Sequence, residues 1–387
     1  MNRKSRRTAA KQLRSSDFKG TDVKTVALLL DQAITAAQAG KWTDAEKILH
    51  HLLQVDPDHA EASHMMGMAL GSTGRVAEGI EYLKKATKQK PGEALYWNNL
   101  ATCYCAAHQF AEAVDAARKA VTIEPGYAVA WSRLGDSLSD IKDFASARDA
   151  YERYKVLAGA DLGVEKRIAN CLINLGQLSE AETCLKALRA QAPDDTEVLG
   201  NLGAVLVARR QFAEALPCLE TAATADRKKY SLAFNYARAL EGTGEIGSAI
   251  QWLRRATSIE HRSGEAWLLL GELLLQTGEI DEALVSAKRA AAFRPGEEAT
   301  SLMRRVEAAR NPAAAIAPTT TPAKPSPVMW DFHLGDDAPA PAAGGPIAVD
   351  FVNQPKTNGV HAKEAEAPKP KPVAAGGIVD LTVLKIG

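Results

Sequence analysis

Eight successive blocks of 34 residues, cut from residue 26 to residue 297 without insertion or deletion, carry only Ala or Gly at two fixed places. The eighth column reads Ala33, Gly67, Ala101, Gly135, Ala169, Gly203, Ala237, Gly271. The twentieth reads Ala45, Gly79, Ala113, Ala147, Ala181, Ala215, Ala249, Ala283. A missing side chain lets two helix axes approach to ~8–10 Å, so each block is expected to be a tightly packed helix pair. The fifteenth column holds Gly40, Gly74, Gly176, Gly244 and Gly278, with His108, Lys142 and Arg210 in the other blocks. Glycine there stops the first helix, where a left-handed residue is needed. Pro57, Pro91, Pro125, Pro193 and Pro295 share one phase and end the second helix, with Gly159, Arg227 and His261 in the remaining slots. Repeats of this length cannot bury a face alone and must stack.

The pattern W-x-x-L-G/A-x-x-Y/L, then A-x-x-x-F/Y/L-x-x-A, then P, at period 34, resembles the tetratricopeptide repeat. "AWSRLGDSL" (130–138) and "AWLLLGELL" (266–274) carry it most plainly. The resemblance implies an all-α, right-handed superhelical solenoid of antiparallel helix pairs whose first helices line a concave groove. The eight repeats are 26–59, 60–93, 94–127, 128–161, 162–195, 196–229, 230–263 and 264–297, within an array of 22–297. Ser63 and Glu165 replace the large apolar residue of the fourth column, where looser packing is expected, and Pro217 is expected to bend its helix. Residues 298–310 read as a capping helix.

Outside the array, residues 1–21 form a basic arm and residues 311–387 a Pro/Ala/Gly-rich tail, both read as disordered. The tail carries the apolar–acidic islands "VMWDFHLG" (328–335), "PIAVDFVNQ" (346–354) and "GGIVDLTVLKIG" (376–387), which read as short docking motifs. With Trp330 and Phe332 as anchors beside aspartates, "MWDFHLGDD" (329–337) reads either as a site for a second partner or as a segment that folds back into the groove.

Lys plus Arg and Asp plus Glu both number 47, so the chain has no net pull toward nucleic acid. No run of ~18 apolar residues is present, so no membrane span is expected. Cys103, Cys105, Cys171, Cys184 and Cys218 form no C-x-x-C pair and read as free thiols in a reducing, cytoplasmic setting. There is no Gly-rich phosphate loop, nucleophile elbow or H-E-x-x-H, so neither enzyme activity, cofactor nor metal is expected. His50, His51, His59 and His64 cluster around Pro57 and read as solvated helix-end residues.

A helix turns ~100° per residue, which places columns 4, 7, 8 and 11 on a packed arc and columns 2, 5, 6, 9 and 13 opposite. By the resemblance, the opposite arc lines the groove. Asn98, Asn99, Arg133, Lys166, Arg167, Asn170, Asn201, Asn235 and Arg238 fall on it. Amides can donate to and accept from a peptide backbone, and Arg133, Lys166, Arg167 and Arg238 would select carboxylates, with Asp136 as the opposing anion. The expected ligand is therefore an extended, acidic peptide segment, and the expected role a non-enzymatic scaffold or adaptor. Lys166, Asn170 and Asn201 are also similar to part of the carboxylate clamp of chaperone-binding tetratricopeptide domains, although Ser231 and Asn235 stand where the clamp has cations. Other readings are a regulatory or targeting subunit for an enzyme supplied in trans, such as a glycosyltransferase, and a nucleic-acid-binding helical repeat anchored by the basic arm.

Overall fold

In the computed structural model, residues 21–311 are described. Among them are seventeen helices and no strand. The first helices of the repeats are α1 (Thr21–Gln38), α3 (Ala60–Ser72), α5 (Ala94–Ala106), α7 (Ala128–Asp140), α9 (Leu162–Asn174), α11 (Thr196–Ala208), α13 (Tyr230–Thr243) and α15 (Gly264–Thr277). The second helices are α2 (Trp42–Val55), α4 (Val76–Gln89), α6 (Phe110–Ile123), α8 (Phe144–Ala158), α10 (Leu178–Gln191), α12 (Phe212–Ala225), α14 (Ile246–Ile259) and α16 (Ile280–Phe293). A last helix, α17 (Glu297–Arg310), follows. The described residues form two compact units, 21–164 and 165–311, the division falling within α9.

The small columns do what their chemistry requires. A Cβ added at Gly67 would lie 2.8 Å from the Gly79 carbonyl oxygen, and one at Gly79 would lie 2.7 Å from the Gly67 oxygen, so α3 and α4 touch backbone to backbone. At Gly135 and Gly203 the space is taken by the Tyr151 ring and the Leu219 side chain of the second helix. All the alanines of both columns are fully buried.

Each pair turns at a residue of positive φ. Five of these are glycines, but His108, Lys142 and Arg210 adopt the same left-handed conformation at φ 56°, 63° and 61°. Glycine is thus preferred there and not obligatory, at a cost of ~1–2 kcal/mol for each side chain kept in that region.

Between repeats, the indole N–H of the fourth column closes the turn. Trp97 donates to the Pro91 carbonyl at 2.9 Å, Trp131 to Pro125 at 2.9 Å and Trp267 to His261 at 2.8 Å. On the second helices, exposed ion pairs link neighbouring repeats: Lys186–Glu214 at 3.4 Å and Arg254–Glu282 at 2.7 Å stand at one phase of the period. Such exposed pairs contribute little energy each and mainly favour one register.

Ser63 is fully buried, and its hydroxyl has no hydrogen-bond partner. α12 runs through Pro217 as one continuous helix. No helix among the described residues is long and apolar enough to cross a membrane. The basic arm, apart from Thr21 at the start of α1, and the tail beyond Asn311, with Trp330 and Phe332, lie outside the described residues.

Candidate functional site

In unit 21–164 the first helices pack on one another, α3 on α5 and α5 on α7. Asn98 and Asn99 are each 1% exposed. Asn98 Nδ2 donates to Asn99 Oδ1 at 3.4 Å, and Asn99 Nδ2 lies 2.9 Å from His64 Nε2 on the preceding first helix. The His64 ring stacks on Tyr96 with centroids 4.4 Å apart. His64 is consequently no solvated helix-end residue. Burial lowers its pKa to about 3, so it is neutral, and Nε2 accepts from the amide. Asn99 thereby joins two repeats, and Asn98 lies buried beside it.

Arg133 stands half-open on α7 and pairs with Asp136 at 3.5 Å. Asp136 also accepts from the Tyr151 hydroxyl at 2.9 Å, so this carboxylate is held from two sides. Burial and the nearby Asp136 raise the pKa of Asp140 one turn on.

In unit 165–311 exposure along the arc varies from residue to residue. Arg167 and Asn170 are exposed, and Lys166 and Asn201 half-buried. Asn174 Nδ2 donates to the Asn170 side-chain oxygen at 3.0 Å, which orients that amide along α9. Lys166 is not a vacant clamp. It pairs with Asp195 at 3.1 Å and with Glu197. Burial alone would lower the Lys166 pKa, yet the two carboxylates outweigh it and raise the value. Asp195 is itself the N-cap of α11, accepting the amide protons of Glu197 and Val198 at 3.0 Å each. Desolvation opposes its charge, but those amides and Lys166 keep its pKa below the ordinary carboxylate value. Lys166 thus anchors the start of the next repeat. The signal for this was in the sequence: Asp195 ends one repeat and Lys166 is fifth in the same repeat, an N-cap residue facing a column-five cation.

Asn235 and Arg238 on α13 are buried, at 6% and 8% exposure. Burial lowers the pKa of the Arg238 guanidinium, with Glu265 and Glu241 opposing the shift. Of the four cations read as carboxylate-selective, Arg133 and Lys166 already hold carboxylates, and Arg238 lies among two. Asp136 is not the sole counter-charge, as the linear columns suggested, because Asp195, Glu197, Glu241 and Glu265 come from neighbouring turns and repeats. The five cysteines are free, and burial pushes the Cys103 thiol up to about 12.

Models described as tetratricopeptide repeat match residues 36–103, 94–127 and 157–204, and the model of anaphase-promoting complex, cyclosome, subunit 3 matches 208–290. This chain is a tetratricopeptide-repeat protein. Among solved structures, the fold is similar to a chain of the APC/C hetero-tetramer Cut9–Hcn1, with TM-score 0.50 and 18% identity over 78% of this chain and 58% of that one. The chain therefore spans less than two thirds of that relative. It is also similar to YrrB, described as a TPR protein with an unusual peptide-binding site, with TM-score 0.42 and 18% identity over 52% of this chain and 99% of YrrB. For yeast Tom70 the TM-score is 0.40, with 17% identity over 71% of this chain and 60% of Tom70. At these identities the likeness is one of fold. No curated protein sequence matches the chain. A tetratricopeptide solenoid is in general a scaffold for protein–protein interaction.

Proposed function

We propose that this tetratricopeptide protein is a non-enzymatic adaptor that holds an extended segment of a partner along the first helices of its second unit. The observation that carries this reading is the open row formed by Arg167, Asn170 and Asn201, one cation and two amides on successive first helices. Amides that donate and accept can pair with a peptide backbone whatever its side chains. The guanidinium of Arg167 supplies the preference for an acidic residue. The cytoplasmic setting belongs to the same proposal and is checked by cell fractionation.

The test is affinity capture with the full chain and with an Arg167→Ala/Asn170→Ala/Asn201→Ala variant, each compared at matched folding. Partners lost from the variant and recovered through one acidic peptide segment support the reading. Recovery of an enzyme with altered activity or targeting would make the chain a regulatory subunit. Unchanged capture would refute the face.

A further inference from the structure

The junction between α15 and α17 contains a slot at a place that a large side chain, Tyr96 or Leu232, takes at two other junctions. Its volume is about 270 Å³, and Gly264, Leu268, Ala290, Arg294, Pro295 and Ala299 line it. Six repeats earlier in phase, the corresponding positions are Ala60, His64, Ala86 and Leu95 around Tyr96. There the Tyr96 ring stacks on His64 and packs with Ala60 and Ala86. At the junction of α11 with α13, Leu232 takes the same place and lies against Gly200. At the start of α17 this place falls to Thr300, an exposed residue whose hydroxyl turns back to donate to the Gly296 carbonyl at 2.9 Å. Gly264 brings the Arg294 backbone close, since a Cβ on it would lie 2.4 Å from the Arg294 Cβ. The result is an apolar floor with a polar rim, where Arg294 pairs with Glu298 at 3.6 Å.

We infer that this slot receives an aromatic side chain from the chain's own tail, with Trp330 as the occupant. Three features select it. The space corresponds to one that a tyrosine ring fills elsewhere in the same molecule. Beyond Phe293 the chain has only three Phe, Tyr or Trp residues, Trp330, Phe332 and Phe351, and two of them stand together in "VMWDFHLG". The tether also fits. The slot lies one length of α17, ~20 Å, back from residue 311. The nineteen residues from there to Trp330 can reach at most ~65 Å, so the chain is long enough to return the anchor to the slot. Asp331 and His333 beside the anchor meet the mixed charges of Arg294 and Glu298 at the rim. This docking is distinct from the partner-binding face and does not depend on it.

The probe is a labelled peptide of residues 326–337, titrated into full-length protein and followed by anisotropy. Full-length Trp330→Ala, with its own anchor removed, is expected to bind it saturably and at least tenfold more tightly than wild type, whose tail competes. Adding Thr300→Tyr to that variant refills the slot as Tyr96 does and is expected to weaken binding at least tenfold while the thermal melt stays at or above that of the parent. Arg294→Glu in the same background is expected to weaken it several-fold, and Arg167→Ala/Asn201→Ala to leave it unchanged. Absent binding to Trp330→Ala, equal binding to wild type, no loss on refilling the slot in a folded protein, or loss through Arg167 and Asn201 would each overturn the slot assignment.

Discussion

Replacing His64 with glutamine isolates one buried proton site. In the folded chain the imidazole is enclosed, stacked on Tyr96 and accepting from Asn99, and its pKa falls from 6.5 to about 3 through burial. In the unfolded chain it titrates at its ordinary value. The unfolded state therefore binds the extra proton as pH falls, and folding loses stability from pH 6.5 downward until the folded site protonates near pH 3. Integrating that difference gives a loss of ~1.4 kcal/mol at pH 5.5 and ~2.7 kcal/mol at pH 4.5, relative to pH 8. Glutamine can accept from Asn99 and does not titrate. The assay is urea unfolding of wild type and His64→Gln at pH 8 and pH 5.5, read as the difference of differences, which removes the other titrating groups. Because repeat arrays need not unfold in one step, amide exchange of α3 and α5 is read alongside. The wild type should lose ~1.4 kcal/mol more than the variant over that interval. Equal pH dependence of the two, or an imidazole titrating near 6.5 by NMR, would show that His64 is not enclosed as described.

Other outcomes follow from single positions. Ser63→Ala should stabilise by ~1 kcal/mol in urea unfolding, since it removes a buried hydroxyl without a partner. Lys142→Gly, at φ 63°, should stabilise by ~0.5–1 kcal/mol, whereas glycine in an exposed helix interior such as Lys119 should cost about as much. Trp267→Phe removes the indole bond to the His261 carbonyl and should cost ~1 kcal/mol, with the loss of amide protection centred on the α14–α15 turn. Lys166→Met should destabilise the start of α11 by leaving Asp195 and Glu197 unpaired, and added salt should narrow the gap to wild type.

Much of the architecture was legible because packing imposes a period. The two Ala/Gly columns follow from backbone contact, and the fifteenth column from a left-handed turn. The face was harder to read. A helical wheel separates two arcs but cannot say what covers the second one. On α5 the sixth-column Asn99 is buried, while on α9 the same column leaves Arg167 exposed. Charge was misjudged for a related reason. Lys166 meets Asp195 and Glu197, which belong to the following turn, and a census of one column cannot register a partner outside it. The slot beside α17 also escaped the wheel, because a wheel of one helix does not compare Thr300 with Tyr96 and Leu232 at the same phase.

The central claim, that the open face of α9 and α11 reads a partner's chain, is tested most directly by selecting peptides from a random library on the full-length protein. Affinities of the selected peptides are then measured for wild type, for Arg167→Ala/Asn170→Ala/Asn201→Ala, and for a control triple of exposed second-helix residues. The account predicts acidic peptides whose binding falls at least tenfold in the first variant and is unchanged in the control. Peptides that bind both variants as tightly as wild type would contradict it.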